Sequence, residues 1–312
     1  MSVMEKETAV GRKILEQNGI LKVLTLGHSL AVDACHMLAL VARAEGIRHL
    51  LIGTLYYSGC SMERHVRYLT EDIAEYNLYI SSTFSPDDPP KILKKVTMGE
   101  SLAFNDWDII IMQAGVFEVA REEAFQAGYL ETIKNYVNAH KRNPNAVFGW
   151  NMTWATPTDN ELRDKYPYPE RNSYYTSYER FGQCRDTFYS GIIRGIRENI
   201  LTDGDIRLLI PTGTAMENAL SSYLTEKALH RDYAHATDFA RVMAAYTWLC
   251  SLLGIRQLEE IKLDTIPVNF FKSTKDTEDR VLTPMEKAII LESVNNALAA
   301  PLERTQSRYT QE

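Results

Sequence analysis

The chain has little cysteine, no long hydrophobic run and no excess of positive charge. Its four cysteines, Cys35, Cys60, Cys184 and Cys250, lie far apart in 312 residues and form no Cys-x-x-Cys pair. This excludes a cysteine zinc site and a thiol-exchange motif, and it predicts four free thiols. The most apolar stretch, Val242 to Ile255, is interrupted by Thr247 and Ser251 and falls short of the roughly 20 residues that a membrane span requires. It reads as a buried helix, and no membrane partner is expected. Met1 to Gln17 carries Glu5, Lys6, Glu7, Arg12, Lys13 and Glu16 and holds no apolar stretch long enough for a secretion signal. A cytoplasmic location is the expectation for this sequence, and export the expectation if a leader precedes it. With 41 acidic residues against 34 basic ones the net charge is -7, which argues against a partner neutralised through its phosphates. Nucleic acid is not expected. The seven histidines form neither His-x-His nor His-Glu-x-x-His, so no metal or other cofactor is expected.

What the chain does have is a core: 45% hydrophobic and 10% aromatic residues, typical of a folded protein. Leu21–Leu26 is a β-rich run ending at Gly27, followed by a helical pattern from Ser29 to Ala44. His49–Tyr56, Trp107–Met112, Ala146–Trp150 and Ile206–Ile210 are further strand candidates. Helices are expected over Met62–Ile73, Arg121–His140, Tyr174–Asn199, Ala215–Tyr223, Ala236–Leu253 and Pro284–Leu298. Between Tyr76 and Glu100, short extended pieces at Leu78–Ile80 and Val96–Met98 flank the turn Ser85–Pro90 and predict an inserted β-hairpin. Strands alternating with helices predict a three-layer α/β/α sandwich around a mainly parallel, five-stranded sheet. No linker divides the chain, so one domain is expected, with a C-terminal extension over 256–312 whose polar tail from Glu303 frays.

In such a sheet ligands bind beyond the carboxyl ends of the strands. The residues there are Gly27-His28-Ser29, Gly59-Cys60-Ser61, Gln113-Ala114-Gly115, Asn151–Trp154 and Pro211–Thr214. A serine held by a glycine turn at a helix start can be a nucleophile, provided a base accepts its proton and a third group orients that base. Asp232 lies three residues before His235, a spacing that lets the two side chains meet across one turn and point the imidazole toward Ser29. His28 remains open either as a cleft wall or as a competing base. Thr214 with Glu217 reads as a capping box.

Leu24-Thr25-Leu26-Gly27-His28-Ser29-Leu30 resembles the first block of the SGNH (GDSL-type) hydrolases, with His28 where that family commonly has Asp or Asn. Gly59 matches the second-block glycine, and Asp232 with His235 matches the final Asp-x-x-His. The match is stronger to the DUF4886 branch, through Asp33-Ala34, Gly59-Cys60-Ser61, Trp107–Gln113, Met152–Ala155 and Pro211–Ala215, together spanning about residues 20 to 255. The resemblance implies a carboxylic ester hydrolase with Ser29 as nucleophile, His235 as base and Asp232 as its partner. It also implies an oxyanion hole from the N–H groups of Ser29 and Gly59 with the side-chain amide of Gln113, which replaces the family's Asn. A carbohydrate ester is the implied substrate, with His28, Tyr56, Trp154 and Asn218 lining its cleft. The competing expectation is a non-catalytic saccharide-binding protein on the same fold.

Overall fold

In a strand, successive side chains face opposite ways, so a strand covered on both faces reads as an unbroken apolar run. Leu21 and Val23 enter one core while Leu24 and Leu26 enter another; Ile109 and Ile111 divide from Ile110 and Met112 in the same way. The computed structural model describes residues 9–85, 90–115, 118–159, 161–162, 184–267 and 279–310.

In chain order the elements begin with α1 (Val10–Asn18), β1 (Leu21–Gly27), α2 (Ser29–Cys35), α3 (Leu38–Ala44), β2 (Leu50–Tyr56) and α4 (Met62–Thr70). Next come β3 (Tyr76–Ser82), β4 (Lys91–Val96), α5 (Met98–Ala103), β5 (Ile109–Met112), α6 (Glu122–Gln126), α7 (Tyr129–His140) and β6 (Val147–Asn151). The described chain continues with α8 (Arg185–Gly195), β7 (Ile206–Ile210), α9 (Thr212–Leu220), α10 (Glu226–Leu229) and α11 (Asp238–Leu253). It ends with the short strands β8 (Thr265–Ile266) and β9 (Arg280–Val281) and with α12 (Pro284–Ala299).

The sheet has seven strands in the order β4-β3-β2-β1-β5-β6-β7. The five expected strands are its parallel part, and the hairpin β3–β4 extends it, β3 pairing antiparallel with β2. The count of five was short because the predicted insertion joins the sheet instead of standing apart from it. Strand order reverses its direction of growth between β1 and β5, which makes the carboxyl ends of those two strands a topological switch point, the place where open α/β sheets in general bind ligands. Helices α2, α3, α9, α11 and α12 cover one face, and α4, α5, α7 and α8 the other. Helix α11 is buried on nearly every side, and its buried residues are apolar apart from Arg241 and Thr247.

Several boundaries differ from those predicted. The first helix breaks at His36–Met37, and the helix over 121–140 breaks at Gly128, whose φ of 72° is left-handed. Val96 closes β4, but Thr97 and Met98 begin α5: Thr97 and Glu100 form a reciprocal capping box. The predicted box at Thr214 and Glu217 is absent. Thr214 sits inside α9 and donates to the Pro301 carbonyl at 2.5 Å, while Glu217 pairs with Arg185 at 2.7 Å. Of the helix predicted over 174–199, residues 174–183 lie outside the described residues, as do 86–89 of the hairpin turn. The tail does not fray through Thr310. Thr305 and Ser307 donate backbone N–H groups to Asn218 and Ser221, both at 2.8 Å, and Tyr309 accepts from Tyr223 at 2.8 Å.

Candidate active site

Ser29 opens α2 directly after β1. The tight turn depends on Gly27, where an added Cβ would lie 2.5 Å from the Cβ of Ala31. Helix α2 carries Ser29 at its first position, so the serine N–H has no intrahelical acceptor. On the other side of the site, residues 230–236 form a closed loop. His230 bridges Ala236, and Arg231 donates its N–H to the His235 carbonyl at 2.9 Å. Asp232 organises this loop from within, its Oδ1 accepting the backbone N–H groups of Ala234 at 3.0 Å and His235 at 2.8 Å.

The two segments meet through side chains. His235 Nε2 lies 2.8 Å from Ser29 Oγ, and His235 Nδ1 lies 2.9 Å from both carboxylate oxygens of Asp232. An ionised carboxylate only accepts, so Nδ1 carries the proton and Nε2 is left to accept from the serine hydroxyl. Burial would raise the Asp232 carboxyl, but the hydrogen bonds and charge of His235 outweigh it and hold the group down at about 2. The imidazole remains 19% exposed. Its edge meets the ring of Tyr233, with centroids 5.9 Å apart and planes at 81°.

His28 is a buried cap. Its Nδ1 accepts the Leu30 N–H at 3.3 Å, and Nε2 bonds the Ala114 carbonyl at 2.8 Å. Burial, only partly offset by the Ala114 bond, lowers it to about 4 and keeps it neutral. Both ring nitrogens are engaged, so neither is free to serve as base.

Gly59 follows β2 with φ of 57°, a left-handed conformation that a side chain would strain. Its N–H makes no hydrogen bond among the described residues. Gln113 follows β5 and is buried to 3%. Its Oε1 accepts from Asn151 Nδ2 at 2.9 Å, and among the described residues its Nε2 makes only a long 3.4 Å contact to Thr153 Oγ1. Asn151 is itself fixed by Trp248 Nε1 at 3.0 Å and Thr212 at 2.6 Å.

The four residues placed in a substrate cleft from sequence divide. Tyr56 is half-buried at the carboxyl end of β2, edge-on to Tyr79. His28 is buried, as above. Trp154 is buried to 1% and donates its indole N–H to the Ala234 carbonyl at 2.8 Å, so it props the Asp232–His235 loop. Asn218 binds the Ser293 carbonyl at 3.3 Å and the Thr305 N–H at 2.8 Å, partners on the C-terminal segment and not on the elements that carry Ser29 or His235. Cys60 is a packed thiol that burial pushes up to about 12.

Sequence reasoning missed Glu118. Half-buried beside the site, it accepts the N–H groups of Gly115 at 2.7 Å and Met62 at 2.9 Å, tying the segment after β5 to the start of α4. Burial raises it to about 7 against the pull of those bonds. The folded protein therefore binds this proton more tightly than the unfolded chain, and stability from this group falls as pH rises from 4.5 to about 7. Glu118→Gln is expected to flatten that decline, by up to about 3 kcal/mol, in urea unfolding at pH 5 and pH 8. Equal slopes in parent and variant would contradict the assignment. Among the described residues, no group of three or more His, Cys, Asp and Glu side chains is placed to hold a metal ion. No described helix is long and apolar enough to cross a membrane.

A crystal structure of a DUF4886 family protein from Bacteroides uniformis is similar over 94% of this chain and 100% of that one, with 24% identity and a TM-score of 0.74. A protein from Slackia heliotrinireducens named "a putative SGNH hydrolase" matches at 14% identity over 75% of this chain and 99% of its own, with a TM-score of 0.43. No curated protein matches the chain. The family model described as "Domain of unknown function (DUF4886)" matches residues 22–272, most of the length, and the chain belongs to that family.

Proposed function

We propose that the protein is a serine esterase or deacetylase of the SGNH type, with Ser29, His235 and Asp232 as its triad. One observation carries this reading: the unbroken chain from Ser29 Oγ to His235 at 2.8 Å and from His235 to Asp232 at 2.9 Å. In the proposed reaction Ser29 Oγ attacks an ester carbonyl while His235 Nε2 takes its proton. The imidazolium, steadied by the ionised Asp232, then gives that proton to the departing alcohol. Water, deprotonated by the same nitrogen, releases the acid from the acyl-enzyme and restores Ser29.

The N–H groups of Ser29 and Gly59, neither spent on another bond among the described residues, would receive the oxyanion, with Gln113 Nε2 as third donor. Removing one such donor typically costs about 10²–10³ in rate. For the substrate we propose an acyl group, such as acetyl, on a carbohydrate; Tyr233 beside His235 and Tyr56 at the end of β2 supply aromatic surface suited to sugar faces.

A fluorophosphonate probe tests the reading, because it phosphonylates only a serine activated by a base. Covalent label on the peptide containing Ser29, together with hydrolysis of a chromogenic acetyl ester, is the expected result. An unlabelled, folded protein that still binds saccharides would instead establish the non-catalytic alternative.

A further inference from the structure

Ser29 and His235 stand 206 residues apart in the chain, yet they must meet to within a hydrogen bond. Asp33 lies one helical turn beyond Ser29 on α2, with its side chain only 2% exposed. Five hydrogen-bond contacts converge on its carboxylate, all from the segment that carries the base. Oδ1 accepts from Arg241 Nε at 3.0 Å and Nη2 at 2.7 Å, and from Arg231 Nη1 at 3.2 Å. Oδ2 accepts from the same Arg231 nitrogen at 3.0 Å and from the backbone N–H of Ala236 at 2.9 Å. Ala236 is the residue after His235. Arg231 precedes Asp232 and also reaches the Ala236 carbonyl, while Arg241 is held from its other side by Asp238 at 2.7 Å.

We infer that Asp33 is a positioning residue: its carboxylate is the joint that locks the Ser29 helix to the His235 loop and sets the distance between nucleophile and base. This inference rests on the esterase reading. A carboxylate suits the joint because its two oxygens offer about four acceptor sites, enough for two guanidinium groups and a main-chain N–H at once. An asparagine of the same shape keeps one acceptor and turns an NH₂ toward groups that also only donate. The loop carrying His235 is then freed to drift, and a misplacement of about 1 Å at reacting groups can cost about 10²-fold in rate.

The test compares Asp33→Asn with the parent and with Lys134→Met, which breaks the ion pairs of Lys134 with Asp203 and Asp205 at the amino end of β7. Each protein is assayed for thermal unfolding, for kcat and KM on a chromogenic acetyl ester, and for the rate of fluorophosphonate labelling. Asp33→Asn should lose about 30- to 100-fold in kcat and in labelling rate, with KM changed by less than about twofold. Lys134→Met should melt earlier but label at the parental rate, which separates positioning from general stability. If Asp33→Asn fails to fold, Arg231→Gln replaces it: it keeps the Arg241 pair and should label at least about fivefold more slowly. Labelling within about twofold of the parent in the folded variant overturns the inference while leaving the esterase reading intact. A parent that is never labelled overturns both.

Discussion

Ser29→Ala is expected to abolish ester hydrolysis, lowering kcat by about 10⁶ and leaving KM and the melting temperature close to the parent's. The size follows from what the substitution removes. Oγ is the atom that would form the covalent bond, and without it only the oxyanion donors and the bound geometry remain, a residue of activity of about 10³–10⁴ over water. The stability expectation follows from the site's surroundings. Ser29 is partly exposed, its hydroxyl bonds only His235 among the described residues, and alanine is a good helix former at the start of α2. His28 still caps that helix through Leu30. Assays of purified variant at high enzyme concentration, with circular dichroism as the folding control, decide the matter. Activity within about tenfold of the parent would remove Ser29 from the chemistry and leave another nucleophile to be found. Cys60 is a poor substitute, since burial raises its thiol to about 12 and leaves it protonated at neutral pH.

The parts of this site that sequence reveals are those whose geometry is local. A glycine turn between strand and helix displays the next side chain but one, and Asp232 meets His235 within a single turn because they are three residues apart. The parallel strands were equally legible, since burial on both faces demands uninterrupted apolar runs such as Ile109–Met112. Side-chain direction after the strands was not. Trp154 stood at a strand end like Ser29, but whether it faces the cleft or the core depends on the loop at Ala234, 80 residues away. Asn218 depends in the same way on the C-terminal segment that covers α9. Glu118 gave no signal because a lone acidic residue after Gly115 looks like solvated surface. Only the fold turns it inward against Met62, from a separate βα unit. The joint at Asp33 was invisible for the same reason: its partners lie about 200 residues downstream. Its one trace in the sequence was Asp33-Ala34, a feature of the resemblance.

Asp232→Asn is expected to lower kcat by about 10⁴ with little change in KM, although the substitution is nearly isosteric. The loss arises from a tautomer and not from displacement. In the parent, the ionised carboxylate accepts from His235 Nδ1, which forces the proton onto that nitrogen and leaves Nε2 open toward Ser29. The introduced amide would keep its oxygen on the backbone N–H groups of Ala234 and His235, which the carboxylate oxygen receives in the parent. Its NH₂ would then face Nδ1 as a donor, and the imidazole must answer with an unprotonated Nδ1 and a protonated Nε2. That nitrogen can no longer take the hydroxyl proton of Ser29. The pH behaviour separates this cause from a collapsed loop. Asp232 is held at about 2 in the folded protein against 3.8 in an ordinary carboxyl, so its contribution to stability is complete above pH 4 and disappears as pH falls through 2. Parent and variant should therefore differ in unfolding free energy at pH 7 and converge in strong acid, while the rate defect persists across the neutral range. A variant that recovers parental kcat at alkaline pH, where hydroxide can deprotonate the serine without His235, fits the tautomer account. A variant with parental activity at neutral pH refutes it and would leave Asp232 a loop-forming residue only.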